Sequence, residues 1–189
     1  MEKATIETFC PTSLKDWREW LRKNHKTKES VWLILYKKKA NMPSIDWDEA
    51  VEQALCFGWI DGKRLSVSDE QFKQFFSKRK AKGTWSKINK ERVERLIQQR
   101  QMTKAGHEAI EVSKKNGAWT ILDDVEKLVI PKDLEEAFKK TPEAKKNFNL
   151  LAKSIKKLLL MNLKFAKRPQ TRAARIADII ARSLQKKAS

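Results

Sequence analysis

Six consecutive apolar residues, Val31-Trp-Leu-Ile-Leu-Tyr36, constrain the fold of this chain most. The run is too short for a helix, β-branched and aromatic, and it does not alternate, so it reads as a strand covered on both faces and central in a sheet. Such a strand needs covering layers, and both flanks are helical in period. Before it, Leu14, Trp17, Trp20 and Leu21 share one face of a helix from Ser13 to Asn24, with Ser13 and Asp16 as a capping pair. After it, Asp46 and Glu49 form a second capping pair. Trp47, Ala50, Val51, Ala54 and Leu55 then recur at helical spacing until Gly58, the stop signal. Trp59-Ile60 and Leu65-Ser-Val67 flank Asp61-Gly62, a hairpin-type dipeptide, and Gln71 to Phe76 can supply a further strand.

Beyond Gly83, Ser86 caps a helix carrying Ile88, Val93, Leu96 and Ile97, and Thr103 starts another that Asn116-Gly117 ends. Ile130-Pro131 is the expected module boundary. It separates residues 1–130, a Trp-rich α+β module with all seven Trp, from a basic helical module of residues 131–189 with neither Trp nor Tyr. In that second module Pro142 opens a helix through Leu151, Ile155, Leu158 and Phe165 to about Arg168, where Pro169 breaks it. A final helix buries Ala173, Ile176, Ala177, Ile180 and Leu184. The expected class is therefore α+β, helices packed on a small antiparallel sheet, followed by a basic all-helical C-terminal module.

Charge narrows the partners. With 42 Lys+Arg against 24 Asp+Glu the chain carries a formal +18, and residues 132–189 alone hold 16 cations and 5 acids. A field of that sign and size points to an anionic partner, a phosphorylated ligand or nucleic acid bound without sequence specificity. Lys153, Lys156, Lys157, Lys164 and Lys167 form one basic stripe, and Arg172, Arg175, Arg182 and Lys186 form another. The turn between them concentrates the candidate anion-binding residues Lys167, Arg168, Thr171, Arg172 and Arg175, with the amides of a helix start beside them. Lys outnumbers Arg by 31 to 11 and no zinc-finger, RNP or basic-zipper pattern occurs, which argues against base-specific reading. No apolar run is long enough to span a membrane, and peripheral contact through the basic helices fits the charge but lacks aromatic anchors. The start of the sequence has no secretory core, so a cytoplasmic location is expected.

Chemistry leaves fewer marks. Cys10 and Cys56 differ in setting and suggest no disulfide, and His25 and His107 share no ligand spacing with them, so neither metal nor cofactor is expected. The densest stretch runs from Cys56 to Arg64, with a thiol, an indole, a carboxylate and two cations. Placed beside Arg79, Trp85 and Asn89, it would form an aromatic-walled pocket of Trp59, Asp61, Arg79, Trp85 and Asn89, suited to a small phosphorylated ligand or to catalysis. On a mostly apolar helix Cys56 reads as core filler, and Asp61 in Asp-Gly as a turn former. No triad, paired-carboxylate motif, phosphate loop or dinucleotide fingerprint appears, so binding is expected rather than catalysis.

The order of motifs resembles that of the YdeI/OmpD-associated, or bacteriocin-protection, family. The stretches that carry the resemblance are Trp17-Arg-Glu-Trp-Leu21, Val31-Trp-Leu33, Glu49-Ala-Val-Glu-Gln-Ala-Leu-Cys-Phe-Gly-Trp-Ile-Asp-Gly62, Trp85-Ser-Lys-Ile-Asn89, Gly117-Ala-Trp119 and Ala166-Lys-Arg-Pro-Gln-Thr-Arg-Ala-Ala-Arg-Ile176. Where the family usually has a Phe-Thr-Pro-Arg-like run, this chain reads Phe76-Ser-Lys-Arg79. The resemblance implies a shorter C-terminal domain matching the basic module and a link to stress or antimicrobial-peptide resistance. It brings no catalytic residues with it.

Overall fold

The computed structural model describes residues 6–185, so Lys186 of the second basic stripe lies outside the described residues. The chain divides into two compact units, Met1–Thr120 and Ile121–Ser189.

In the first unit a four-stranded sheet has the order β1-β2-β4-β3. Its strands are β1 (Thr8–Phe9), β2 (Ser30–Tyr36), β3 (Trp59–Ser66) and β4 (Gln71–Lys78). The three long strands pair antiparallel as expected, but the two-residue β1 joins β2 in parallel, so the sheet is mixed. β2 is central. Its residues Val31, Leu33 and Leu35 are fully buried, whereas Trp32, Ile34 and Tyr36 on the other face are half-buried, not covered as the unbroken apolar run suggested. There Trp32 meets Phe75 edge-on, with Lys63 and Lys73 over its ring.

The helices α1 (Leu14–Asn24), α2 (Trp47–Cys56), α3 (Lys87–Gln98) and α4 (Lys104–Lys115) start where their caps dictate. Ser13, Ser86 and Thr103 each accept a backbone N–H three residues on, and Asp46 with Glu49 forms the reciprocal box. Gly58, at φ +73°, turns the chain after α2 in the left-handed region that costs a glycine nothing. α2 is the hub, packing against α1, α3, α4 and β3. Its Ala50, Val51, Ala54 and Leu55 join Trp17, Leu21, Trp59, Phe76, Val93 and Leu96 in one core. Ile88 and Ile97 of α3, grouped with its apolar face, are exposed.

Asp61-Gly62 is not a hairpin turn. β3 continues through it with a register irregularity between Asp61 and Arg64, and the reversal comes at Ser68-Asp69-Glu70, where Ser68 Oγ accepts the N–H groups of Glu70 and Gln71. A Cβ at Gly62 would lie 3.2 Å from the Phe75 ring, so this glycine marks a bulge under an aromatic side chain.

The second unit is helical throughout its described residues: α5 (Asp123–Glu126), α6 (Lys132–Lys140), α7 (Pro142–Leu150), α8 (Lys153–Lys164) and α9 (Pro169–Gln185). Its core joins Leu122, Val125, Leu134, Phe138, Phe148, Leu151, Leu160, Leu163 and Ile179. Ile121 to Ile130, placed by the sequence in the preceding module, contribute to this core through Leu122, Val125, Leu128 and Ile130. The single helix expected from Pro142 to Arg168 is two, because Leu151 and Ala152 are extended, at ψ 147° and 143°. The break sinks Leu151 into the core and rotates α8, so that Leu159, Leu160 and Leu163 are buried while Leu158 and Phe165 are 53% and 43% exposed. On α9 Ile179 and Ser183 are buried. Ile176 and Ile180 are half-buried against that core, whereas Ala173, Ala177 and Leu184 are exposed, and all five line a shallow apolar groove with Ala137 and Thr141. No described helix is long and apolar enough to cross a membrane.

Candidate functional site

Two clusters follow from these elements, one in each unit. In the first, β4 ends at Lys78, and Arg79 is carried back beneath the turn Lys80–Gly83. Its backbone N–H donates to Gly58 O at 2.9 Å, and Nη1 donates to Thr84 O at 3.1 Å. The guanidinium lies flat on Trp85, 3.4 Å from the ring centroid, and Trp85 in turn stacks obliquely on Trp119 at 4.9 Å. Nε and Nη2 of Arg79, with Nε1 of Trp85, are buried without a hydrogen-bond partner. Burial pulls the Arg79 guanidinium down to about 10, against the field of Asp61, which favours its charge.

Asp61 completes this cluster from β3. Burial pushes its carboxyl above the ordinary value, an effect opposed by hydrogen bonding from its own backbone and from Trp47 and by the fields of Arg92 and Arg79. Arg92 is spent locally: Nη1 donates to Asn89 Oδ1 at 3.2 Å, Nη2 reaches Asp48, and its head lies 5.7 Å over Trp47. Trp85, Arg79, Asp61, Arg92 and Asn89 therefore form a connected chain of contacts and fields. Trp59 does not belong to it. Its indole packs edge-on against Trp20 in the core and donates to His25 O. Sequence reasoning missed Arg92 and Trp47. The available signal was helical spacing, since Arg92 lies three residues beyond Asn89 on the same face of α3. Cys56 is buried and burial raises its thiol, in keeping with core filler. No group of three or more His, Cys, Asp or Glu among the described residues could hold a metal.

In the second unit five cations are paired with acids. Lys157 pairs with Glu126, Lys164 with Asp124, Lys145 with Glu135 and Arg182 with Asp178. Arg172, expected at an anion site, is used by the fold: Nε and Nη2 grip Asp133 and Nη1 donates to Leu163 O at 2.9 Å. It also lines a cleft of about 380 Å³ with Asp124, Val129, Leu160 and Lys164, whose cations are already paired with acids. Lys167, Arg168, Thr171 and Arg175 are all exposed around the start of α9, and the three cations among them form no ion pair with any described residue.

Residues 9–109 match a family described as a domain of unknown function (DUF8412), and residues 127–186 match one described as "Bacteriocin-protection, YdeI or OmpD-Associated". No curated protein and no solved structure matches the chain.

Proposed function

This chain belongs to the DUF8412 family and carries a YdeI or OmpD-associated, bacteriocin-protection domain at residues 127–186, and from that premise we propose that it binds an anionic partner through Lys167, Arg168, Thr171 and Arg175. One observation carries the reading. Among the exposed cations of the second unit that form no ion pair with a described residue, Lys167, Arg168 and Arg175 fall within nine residues at one helix start, the start of α9. Exposed cations without acid partners give up little when a phosphate replaces water, and the counterions that the partner releases drive binding. The role is non-enzymatic and cytoplasmic, and it contributes to antimicrobial-peptide or stress resistance by engaging that partner.

The test is a double charge reversal, Arg168→Glu with Arg175→Glu, in the full chain, with a short labelled single-stranded RNA as the probe. Affinity should fall at least tenfold at low salt, and the plot of log affinity against log NaCl should flatten by about 0.7 for each lost phosphate contact. Binding and slope that match the parent would refute the reading. Vesicle sedimentation with and without anionic lipid separates a membrane surface from a soluble polyanion.

A further inference from the structure

The first unit buries a cation whose best hydrogen-bonding edge has no acceptor. Nη1 of Arg79 is used by Thr84 O, and the face of the guanidinium by Trp85. Nε and Nη2 remain, the two parallel donors of the side-on fork, both shielded from solvent and unpartnered, as is Nε1 of Trp85 on the ring beneath. Buried donors, charged ones above all, are nearly always paired, and exceptions of this kind collect at functional sites. Asp61 does not neutralise the fork. Its field reaches Arg79, yet the two form no ion pair within 4.0 Å. Arg92, the other cation acting on Asp61, is already held by Asp48 and Asn89.

We propose that the Arg79 fork and the Trp85 indole N–H bind the oxyanion of a small molecule, a carboxylate or phosphate group held side-on by Nε and Nη2. The fork spacing matches two oxygens of one planar or tetrahedral anion, which a lysine cannot reproduce. The adjoining turn Lys80–Thr84 is held by Asn116 Nδ2 on Ala81 O at 2.7 Å and by Arg79 Nη1 on Thr84 O. Asp61 acts as a like charge that weakens the complex. The site belongs to a different unit from the polyanion surface and stands or falls independently of it.

The experiment titrates the full chain with inorganic phosphate and with acetate at constant ionic strength, reading tryptophan emission and thermal midpoint. A saturable response to at least one anion is expected, and the tighter of the two identifies the group the site takes. Arg79→Met should abolish the response, Trp85→Phe should weaken it about tenfold by removing one donor, and Asp61→Asn should tighten it several-fold. The Arg168→Glu, Arg175→Glu double variant should leave it unchanged. No saturable response in the parent, a response that persists in Arg79→Met, or an affinity unmoved in Asp61→Asn would each overturn the proposal. If Arg79→Met does not fold, the Asp61 and Trp85 variants still decide between the two outcomes.

Discussion

Arg168 and Arg172 stand one helical turn apart at the start of α9, and their side chains have opposite fates. Arg168 is exposed and unpaired, while Arg172 ties α9 to α6 through Asp133 and to α8 through Leu163 O. The pair is only partly buried, its side chains 39% and 31% exposed for Asp133 and Arg172, so solvent screening limits it to about 1 kcal/mol. The hydrogen bond from Arg172 holds the Asp133 carboxyl below the ordinary range, against a smaller opposing effect of burial. A depressed carboxylate contributes stability that is full above its unfolded value and lost as pH falls through its folded value. Asp133→Asn should therefore lower the stability of the second unit at neutral pH and cost progressively less as the pH is taken into the acid range, measured by helical circular dichroism in urea. A cost that stays constant with pH would assign Asp133 a packing role instead. The sequence placed Arg172 among the anion-binding residues because its local neighbours are cations. Its true partner is 39 residues away, and no local spacing reveals that. Arg79, Trp85 and Asn89 were legible as neighbours because the end of β4 and the Ser86 cap were legible, whereas Asp61 was grouped with them through a hairpin turn that is a bulge within β3. Trp59 was not separable from them, since alternation puts it on the same face of β3 as Asp61 and only packing turns its ring toward Trp20.

At the scale of elements, α2 and α4 approach closely at the end of one and the start of the other. Thr103 donates both its N–H and its hydroxyl to Cys56 O, at 3.1 and 2.7 Å, so the cap of α4 also satisfies a terminal carbonyl of α2. Gly106 lies one turn on, where a Cβ would stand 2.4 Å from that same oxygen. Helix propensity alone favours Ala over Gly by about 1 kcal/mol. The clash is with backbone and cannot be relieved by a side-chain rotation, so Gly106→Ala should destabilise by about 2 kcal/mol. A urea midpoint that drops with an unchanged slope is the expected readout, and a rise in midpoint would show that the helices can part without loss. Caps at Ser13, Asp46, Ser86 and Thr103 were readable because each depends on residues three positions apart. The continuity of β3 through Asp61-Gly62 was not, because the choice between a turn and a bulge rests on Phe75 in the facing strand. The α7–α8 break escaped for a like reason: Leu151 and Ala152 are good helix formers, and the core takes Leu151 only with the chain extended.

For the whole molecule, a formal +18 on 189 residues makes self-repulsion a standing cost of compactness. Sodium chloride raised from about 10 mM to about 150 mM shortens the screening length from about 30 Å to about 8 Å. The thermal midpoint should rise by a few degrees over that range, as followed by far-ultraviolet circular dichroism. A fall would mean that the exposed ion pairs outweigh the net repulsion. The division into two units has an optical consequence as well. Every indole and the single phenol precede residue 120, several of them stacked, Trp17 on Trp20 at 5.3 Å and Trp85 on Trp119 at 4.9 Å, while residues 121–189 contain phenylalanine as their sole aromatic. Absorbance at long wavelength, excitonic bands in near-ultraviolet dichroism and energy migration between rings thus all report on residues 1–120, and a fragment made of the second unit alone would pass a 280 nm detector unseen.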